Sequence, residues 1–571
     1  SFRNICLLFD LISEVVVIII LNLGNEFEFV FGSFIKMRPY KPIYKLCIVG
    51  AGPSGCYLAK YLLARSKKEN IAIKIDLLDS LDKPFGLLRY GIAPDRHDLK
   101  KSISSIDNSL FKKYSDDIKF YGNVTLGYDV KLEELKRKYD VVVLAVGGLQ
   151  SFHTLPVKYM NNELQNKIIG GVFSSRDWVF YYNSHPMFKK MLYPTKNEHS
   201  NSINNKLIDN ERIDMDIELN YLKKKNNQFF EYKSPLSSTE ISVPFKNENE
   251  DFKYGYGSDI LRNYILNSSE RNAVIIGNGN VSLDITRLLS FYTHEQLSKN
   301  KYLNPDYLNL IDTSSKYSNS DIYRPLFKNI FIIGRRGWIQ NSFKYPLLKE
   351  FIDKSRKSKY NSTNGMNIRV MMSQEDFELS QDRTSLFELE RSGPEIKRRF
   401  LKMKSIFQEM VNNHQEYIAN NDNIFHNDKT INIHFKNLFS TVNIKTEEVN
   451  IPENNVKKKS IPFIKGIELA RNIRDSKPIT DKTKLNEKEK YYLPCQLLIT
   501  SLGFKPKYDY IFNGNKDYSF ENNCFPCPIF KTGWMETNSK GDLNIALQKS
   551  LTLGNEILSL LKKMPPKNVE A

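Results

Sequence analysis

Six short apolar runs, each closed by glycine or polar residues, set the rhythm of this chain. The first, Leu46-Cys47-Ile48-Val49, ends in Gly50-Ala51-Gly52-Pro53-Ser54-Gly55. A second, Ile71-Ala72-Ile73-Lys74-Ile75-Asp76-Leu77-Leu78, ends at Asp79, and a third spans residues 140–146 before Gly147-Gly148. The fourth, Ala273-Val274-Ile275-Ile276, ends in Gly277-Asn278-Gly279-Asn280-Val281-Ser282. The last two are Asn329-Ile330-Phe331-Ile332-Ile333 and Gln496-Leu497-Leu498-Ile499-Thr500-Ser501. Runs of this length without alternation are expected of strands buried on both faces of a parallel sheet. Helices are predicted over residues 54–64, after the first glycine turn, and over the amphipathic stretch 544–561. Strand, tight turn, helix and strand in that order make a βαβ unit, and the chain carries two.

The glycine spacing points to dinucleotides. Gly50 allows a tight turn, Gly52 lets the backbone approach a pyrophosphate, and Gly55 lets helix and strand pack closely. The pyrophosphate would rest on the amide-rich N-terminus of the helix that follows. Asp79 stands where an acid accepts ribose hydroxyls, so the first unit asks for FAD or NAD. The second unit, with Asn278, Gly279, Asn280 and Val281 in its turn, ends its next strand in Gly334-Arg335-Arg336-Gly337 rather than in an acid. Paired guanidinium forks suit a 2′-phosphate, which selects NADP. The same patterns also fit a glycine turn with no ligand and a solvated arginine pair. Residues 293–324 separate this fingerprint from Arg335, and their Asn, Ser, Tyr, Lys and Asp content is expected of an exposed polar loop.

Pro84-Phe85-Gly86-Leu87-Leu88-Arg89-Tyr90-Gly91-Ile92-Ala93-Pro94-Asp95 shows little periodicity, but here the chain resembles the adrenodoxin reductase family of mitochondrial-type ferredoxin–NADP reductases. Gly277-Asn278-Gly279-Asn280-Val281-Ser282-Leu283-Asp284-Ile285-Thr286-Arg287 is similar to that family's NADP motif, and the Arg-Arg-Gly turn recurs. Thr532-Gly533-Trp534 and Gly541-Asp542-Leu543 match its late segment by spacing. The resemblance implies an FAD-dependent enzyme carrying electrons from NADPH to an acidic [2Fe–2S] ferredoxin in the mitochondrion. It implies FAD contacts at Ser54, Asp79, Leu87 and Leu126, with Trp534 beside the flavin and Gly541, Asp542 and Leu543 at a helix start facing it. Gly541 would also lie near NADP. Basic residues that dock ferredoxin in the family correspond to Lys349 and to Lys397, Arg398 and Arg399.

Two departures bear on the chemistry. The family's His after Pro-Asp is replaced by Arg96, followed by His97, which leaves Asp284 as the candidate polar group near hydride transfer. The family's acid near the 2′-phosphate corresponds to Leu347, with Glu350 one turn later.

The fold class expected is α/β with two Rossmann-like nucleotide-binding domains, the NADP domain inserted in the FAD domain. Residues 1–43 are a leader or extension, 44–147 the first part of the FAD domain, 148–490 the NADP domain with polar insertions, and 491–571 the rest of the FAD domain. A length of 571 residues accommodates these. The net charge of +18 favours acidic partners, much of it in residues 193–233 and 413–459, which also read as solvated insertions. Neither zinc-finger spacings nor aromatic RNA platforms occur, so nucleic acid is not expected. Six cysteines form no disulfide ladder, and Cys524-Phe525-Pro526-Cys527 lacks a second pair to complete a metal site. The apolar run 15–23 follows Asp10 and Glu14, is short for a membrane span and lacks a basic flank. Residues 1–36 therefore stay open between organellar leader, anchor and artefact, as does peripheral membrane association. Two other functions stay in view: an electron-transfer subunit of the glutamate synthase small-subunit or disulfide reductase type, and a nucleotide-sensing module without turnover.

Overall fold

The computed structural model describes residues 43–148, 169–186, 230–231, 257–314, 324–360, 367–419, 429–453, 457–474, 483–503, 527–537 and 543–564. The apolar run 15–23 and nearly all of residues 193–233 lie outside them.

The strands are, in chain order, β1 (Ile43–Val49), β2 (Ala72–Leu78), β3 (Ile118–Gly122), β4 (Val141–Leu144), β5 (Val172–Ser174), β6 (Phe230–Glu231), β7 (Asn272–Ile276), β8 (Asn329–Gly334), β9 (Asn367–Met371), β10 (Thr430–Asn437), β11 (Phe439–Glu453), β12 (Lys457–Arg474), β13 (Thr483–Pro494), β14 (Leu497–Thr500) and β15 (Ile529–Lys531). They form two six-stranded sheets, ordered β15-β4-β1-β2-β3-β6 and β5-β14-β7-β8-β10-β9, and a three-stranded sheet β11-β12-β13. The α/β class and the two nucleotide-type units expected from the apolar runs are both present.

In the first sheet β1 pairs in parallel with β2 and β4, and β15 pairs with β4. The helix α1 (Pro53–Lys68), which follows the first glycine turn, packs its Leu58 and Leu62 near Leu553, Ile557 and Leu561 of the last helix, Leu543–Leu561. Ser550 Oγ staples this distant pair by donating to the Ser54 carbonyl at 3.0 Å, and Tyr44 OH on β1 donates to the carbonyl of Met564, just past the last helix, at 2.6 Å. Gly554 lies against the Tyr61 ring, so a side chain there would drive the helices apart.

The second sheet corrects the expected boundary. Residues 491–571 are expected in the first unit, yet β14 pairs in parallel with β5 and β7 of the second sheet. An apolar run buried on both faces fits either sheet. Its neighbours decide: Gln496 Oε1 accepts from the Asn272 N–H at 2.9 Å, and the Ser501 N–H donates to the Ile276 carbonyl at 2.7 Å. Among the described residues the chain rejoins the first sheet at β15.

Two further expectations fail. Residues 293–324 are not simply an exposed loop, because within their described part helices run over His294–Ser298 and Pro305–Ile311. Leu297, Leu303, Tyr307 and Leu310 are buried there, with Tyr307 against the rings of Trp178, Tyr181 and Tyr182. Nor are residues 413–459 mere solvated insertion. They supply β10, inside the second sheet, and all of β11. The three-stranded sheet buries Ile444, Ile464, Ile467 and Leu469 over Val274, Ile333 and Leu498.

Candidate functional site

The first glycine turn is shaped by close approach. Gly50 has φ +107°, and a Cβ there would strike the Ala145 carbonyl; one on Gly55 would strike that of Gly50. Gly52 differs, since its missing side chain faces open space at the start of α1. Two glycines thus serve packing, and the third leaves a cradle that a side chain would fill, as a pyrophosphate site requires. Asp79 closes the turn: Oδ2 accepts from the Ala51 N–H at 2.7 Å and Oδ1 from that of Leu81 at 2.9 Å. Burial pushes its carboxyl up to about 6 against the pull of those bonds.

Distant segments complete this edge. Phe85, at φ +76°, donates its N–H to the Ala51 carbonyl at 2.7 Å and opens α2 (Gly86–Tyr90), with Leu87 half-buried. The Thr532 N–H donates to the Leu144 carbonyl at 3.1 Å, and Gly533, at φ +68°, sits against the Ser54 side chain. Half-buried Trp534 is thereby brought to the start of α1. Leu126 is buried in the cluster that holds Val124, Leu132 and Met535. Leu543 begins the last helix and packs against the first core. Gly541 and Asp542 lie outside the described residues.

In the second turn Gly277 has φ +135°, and a Cβ would strike the Ser501 carbonyl. The Asn278 carbonyl accepts from the Ser342 N–H and Oγ at 3.0 and 2.8 Å, while Asn278 Nδ2 donates to Asn437 Oδ1 at 2.8 Å. Asn280 Oδ1 accepts from the Lys344 N–H at 2.7 Å. These side chains brace the turn. Gly279 and partly buried Val281 begin α3 (Asn280–Ser290), and Asn278 Oδ1 is buried without a partner. Gly334 lies against the Asn278 side-chain amide, so exposed Arg335 and partly buried Arg336 follow directly beside the turn. The Arg335 carbonyl is fixed by Asn472 Nδ2 at 2.9 Å. A glycine turn at a helix N-terminus with two guanidinium groups at the next strand end fits a nucleotide bearing a 2′-phosphate.

A charge cluster with a buried centre, Asp95 and Arg287, links segments that follow the two turns. Arg287 on α3 donates Nε and Nη2 to Asp95 at 2.5 and 2.9 Å, and Nη1 to Asp284 at 2.6 Å. Tyr292 OH adds a bond to Asp95 at 2.9 Å. Arg96 grips Glu350 through both nitrogens at 2.7 and 2.9 Å and lies 3.8 Å from Asp284. Burial raises the Asp284 carboxyl despite Arg287. At Asp95 burial acts the same way, but the Arg287 bonds outweigh it and the net shift is downward. The sequence singles out Asp284 and notes Glu350 one turn after Leu347, where the family's acid would stand; in the fold Glu350 pairs with Arg96. Asp95, Arg287 and Tyr292 were not assigned roles. An arginine among the apolar positions of a helix behind the glycine turn was the available signal.

Of the basic residues proposed for docking, Lys397 and Arg398 are exposed on the helix Pro394–Ala419, and Lys349 is exposed 3.4 Å from Asp353. Arg399 is not free for a partner. Its Nη2 donates to the Asn341 and Phe343 carbonyls, each at 2.8 Å, and to Asn341 Oδ1 at 3.0 Å. Cys47, Cys56 and Cys495 are buried free thiols, Cys527 is buried, and Cys524 lies outside the described residues. Among the described residues no acidic, His and Cys cluster suits a metal, and no helix is long and apolar enough to cross a membrane.

Fold and turns together define an α/β protein with two nucleotide-type βαβ units. No protein-family model matches the chain. It is similar to the NADPH-ferredoxin reductase FprA of Mycobacterium leprae, 28% identical over 321 residues, 56% of this chain and 48% of that protein. The mitochondrial NADPH:adrenodoxin oxidoreductase of Bos taurus is 26% identical over 322 residues, 56% and 44% of the two chains, and that of Drosophila melanogaster 35% over 147 residues, 25% and 28%. The matches thus span about half or less of these relatives' length. Among solved structures, FprA of Mycobacterium tuberculosis in complex with NADPH superposes with a TM-score of 0.55 at 20% identity, covering 91% of this chain and 85% of that one. The resemblance drawn from the motifs is borne out by these names, and the structural likeness confirms the fold.

Proposed function

We propose that this chain is an FAD-dependent oxidoreductase passing electrons from NADPH to an acidic [2Fe–2S] ferredoxin. The observation that carries it is the pairing of two distinct nucleotide turns, one closed by Asp79 and one by Arg335-Arg336, across a buried cluster joining them. When bound, the flavin supplies the conversion of a two-electron hydride donor's reduction into single electrons. The chain's own residues bind and orient. Gly52 and the start of α1 would take the FAD pyrophosphate, Asp79 its ribose, and Trp534 would cover one side. Gly279 and the start of α3 would take the NADP pyrophosphate, with Arg335 and Arg336 on its 2′-phosphate. Asp284, partly buried and with its carboxyl raised, is the group suited to hold a proton near the junction. Mitochondrial residence is proposed from the adrenodoxin oxidoreductase relatives, whose names place them there.

A disulfide reductase chemistry is disfavoured by Cys56. It is fully buried, its Sγ donates to the Ala51 carbonyl at 3.2 Å, and burial pushes its thiol far up. A nucleotide sensor would bind NADPH without turning it over.

The test begins with purified protein, expected to carry one FAD and to reduce a one-electron dye with NADPH in strong preference to NADH. Gly52→Val should yield folded but colourless protein. Charge-assisted bonds contribute roughly 1.5–3 kcal/mol each. Arg335→Ala/Arg336→Ala should therefore lower kcat/KM for NADPH on the order of a hundredfold and leave NADH turnover nearly unchanged. Equal losses with both nucleotides would remove the assignment of the second site to NADP.

A further inference from the structure

Residues 85–95 leave the first glycine turn and end inside the second unit. At one end the Phe85 N–H is bonded to the Ala51 carbonyl at 2.7 Å, and its fully buried side chain holds a backbone at φ +76°. A bulky residue persists in that region only where its surroundings over-determine it. At the other end Asp95 accepts both prongs of Arg287. That arginine lies eight residues along α3 from Gly279, or about 12 Å at 1.5 Å per residue. Between the ends, Asn183 of the second unit donates to the Tyr90 carbonyl at 3.0 Å, and Ala93 is packed in the second unit's core. Lys100, just beyond, donates to the Arg89 carbonyl at 2.5 Å and to Asn183 Oδ1 at 2.8 Å.

We infer that Asp95 and Arg287 form a positioning pin, and that residues 85–95 are a strut setting the separation and angle of the two nucleotide turns. The inference rests on the proposed FAD and NADPH sites. Side-chain exposure is 6% at Asp95 and 2% at Arg287, and burying such a pair carries a desolvation penalty that its attraction need not exceed. Its worth lies in geometry, because a fork-to-fork pair fixes direction as well as distance. Neither residue is placed against a cofactor, so neither is catalytic. Each acts through the element it holds: Asp95 through the strut to the first turn, Arg287 through α3 to the second. Reacting atoms must approach to about 3–3.5 Å, and a misplacement of about 1 Å from a remote change can slow the step on the order of a hundredfold.

Asp95→Asn tests this, since the amide keeps the shape and one acceptor but loses the charge and the second prong. The expected result is a split. FAD content stays at the parent level and the NADP+ dissociation constant stays within about threefold, while flavin bleaching by NADPH in a single turnover slows by about fivefold or more. In cofactor-free protein, amide hydrogen exchange over residues 86–95 should rise while β1 and β7 stay protected. A slowing below fivefold, unchanged exchange in the strut, or loss of FAD in step with rate overturns the pin. Tyr292→Phe removes one bond to Asp95 and keeps the ion pair; it should show a smaller slowing of the same kind. If Asp95→Asn does not fold, no slowing in Tyr292→Phe overturns the inference. A parent protein that takes up no FAD would instead defeat the functional reading, and the exchange measurement alone would then decide the strut.

Discussion

Asp79 shows how one carboxylate carries both structure and a testable pH dependence. Its two oxygens already hold the Ala51 and Leu81 amides, and burial pushes its pKa up to about 6, above the ordinary carboxylate range. The sign follows from linkage. A raised folded-state pKa contributes stability below about pH 4 that is lost as pH rises through 6. Ribose hydroxyls donating to the ionised form would reverse that cost. FAD binding should therefore release protons between about pH 4 and 6 and tighten as pH rises through that window. Calorimetry in two buffers of different ionisation enthalpy would show it, and Asp79→Asn should remove it; proton uptake on binding would contradict the assigned contact. At this same scale the sequence misjudges Arg399. Three adjacent basic residues look alike in one dimension, yet the helix turns Arg399 toward the Asn341 and Phe343 carbonyls and leaves Lys397 and Arg398 outward.

Among elements, the helices within residues 293–324 are the ones that composition hides most. Their start signals were readable: Thr293 caps the first in a reciprocal box with Gln296, and Asn304 caps the second ahead of Pro305. The spacing Leu303, Tyr307, Leu310 is that of one helix face, but Asn- and Ser-rich surroundings masked it. Tyr307 is fully buried among three aromatic rings. Tyr307→Ala should destabilise the protein by about 3–5 kcal/mol, as large aromatic truncations in cores do. Urea unfolding measures this, and a loss below about 0.5 kcal/mol would show the segment to be peripheral to the core. The sheet β11-β12-β13 was hidden in the same way, since its lysines and asparagines obscure the inward Ile464, Ile467 and Leu469.

For the molecule as a whole, charge governs the proposed encounter with ferredoxin. The net +18 and the exposed Lys349, Lys397 and Arg398 would attract an acidic partner and mainly speed its approach. Lys349→Glu with Arg398→Glu should slow ferredoxin reduction strongly at low salt and barely alter reduction of a small dye. Raising salt should slow the parent and narrow the gap, because the Debye length shrinks to about 8 Å at physiological ionic strength. Unchanged ferredoxin kinetics at low salt would move the docking surface elsewhere. Arg399 has no part in that test, since reversing its charge would disturb the loop beside the second turn.

The two glycine turns, Asp79 and the Arg335-Arg336 pair were all legible from residue order. Each states a local requirement: a positive φ, an absent Cβ, or a charge at a strand end. Strand existence was legible too, since an apolar run needs burial wherever it goes. Which sheet accepts that run was not: β14 joins β7 through a hydrogen-bonding edge more than two hundred residues away. The packing of α1 on Leu543–Leu561 and the bond between Asp95 and Arg287 are likewise decided only by the tertiary fold. Local spacing encodes what each backbone segment can do, and only packing in three dimensions decides which distant side chains meet.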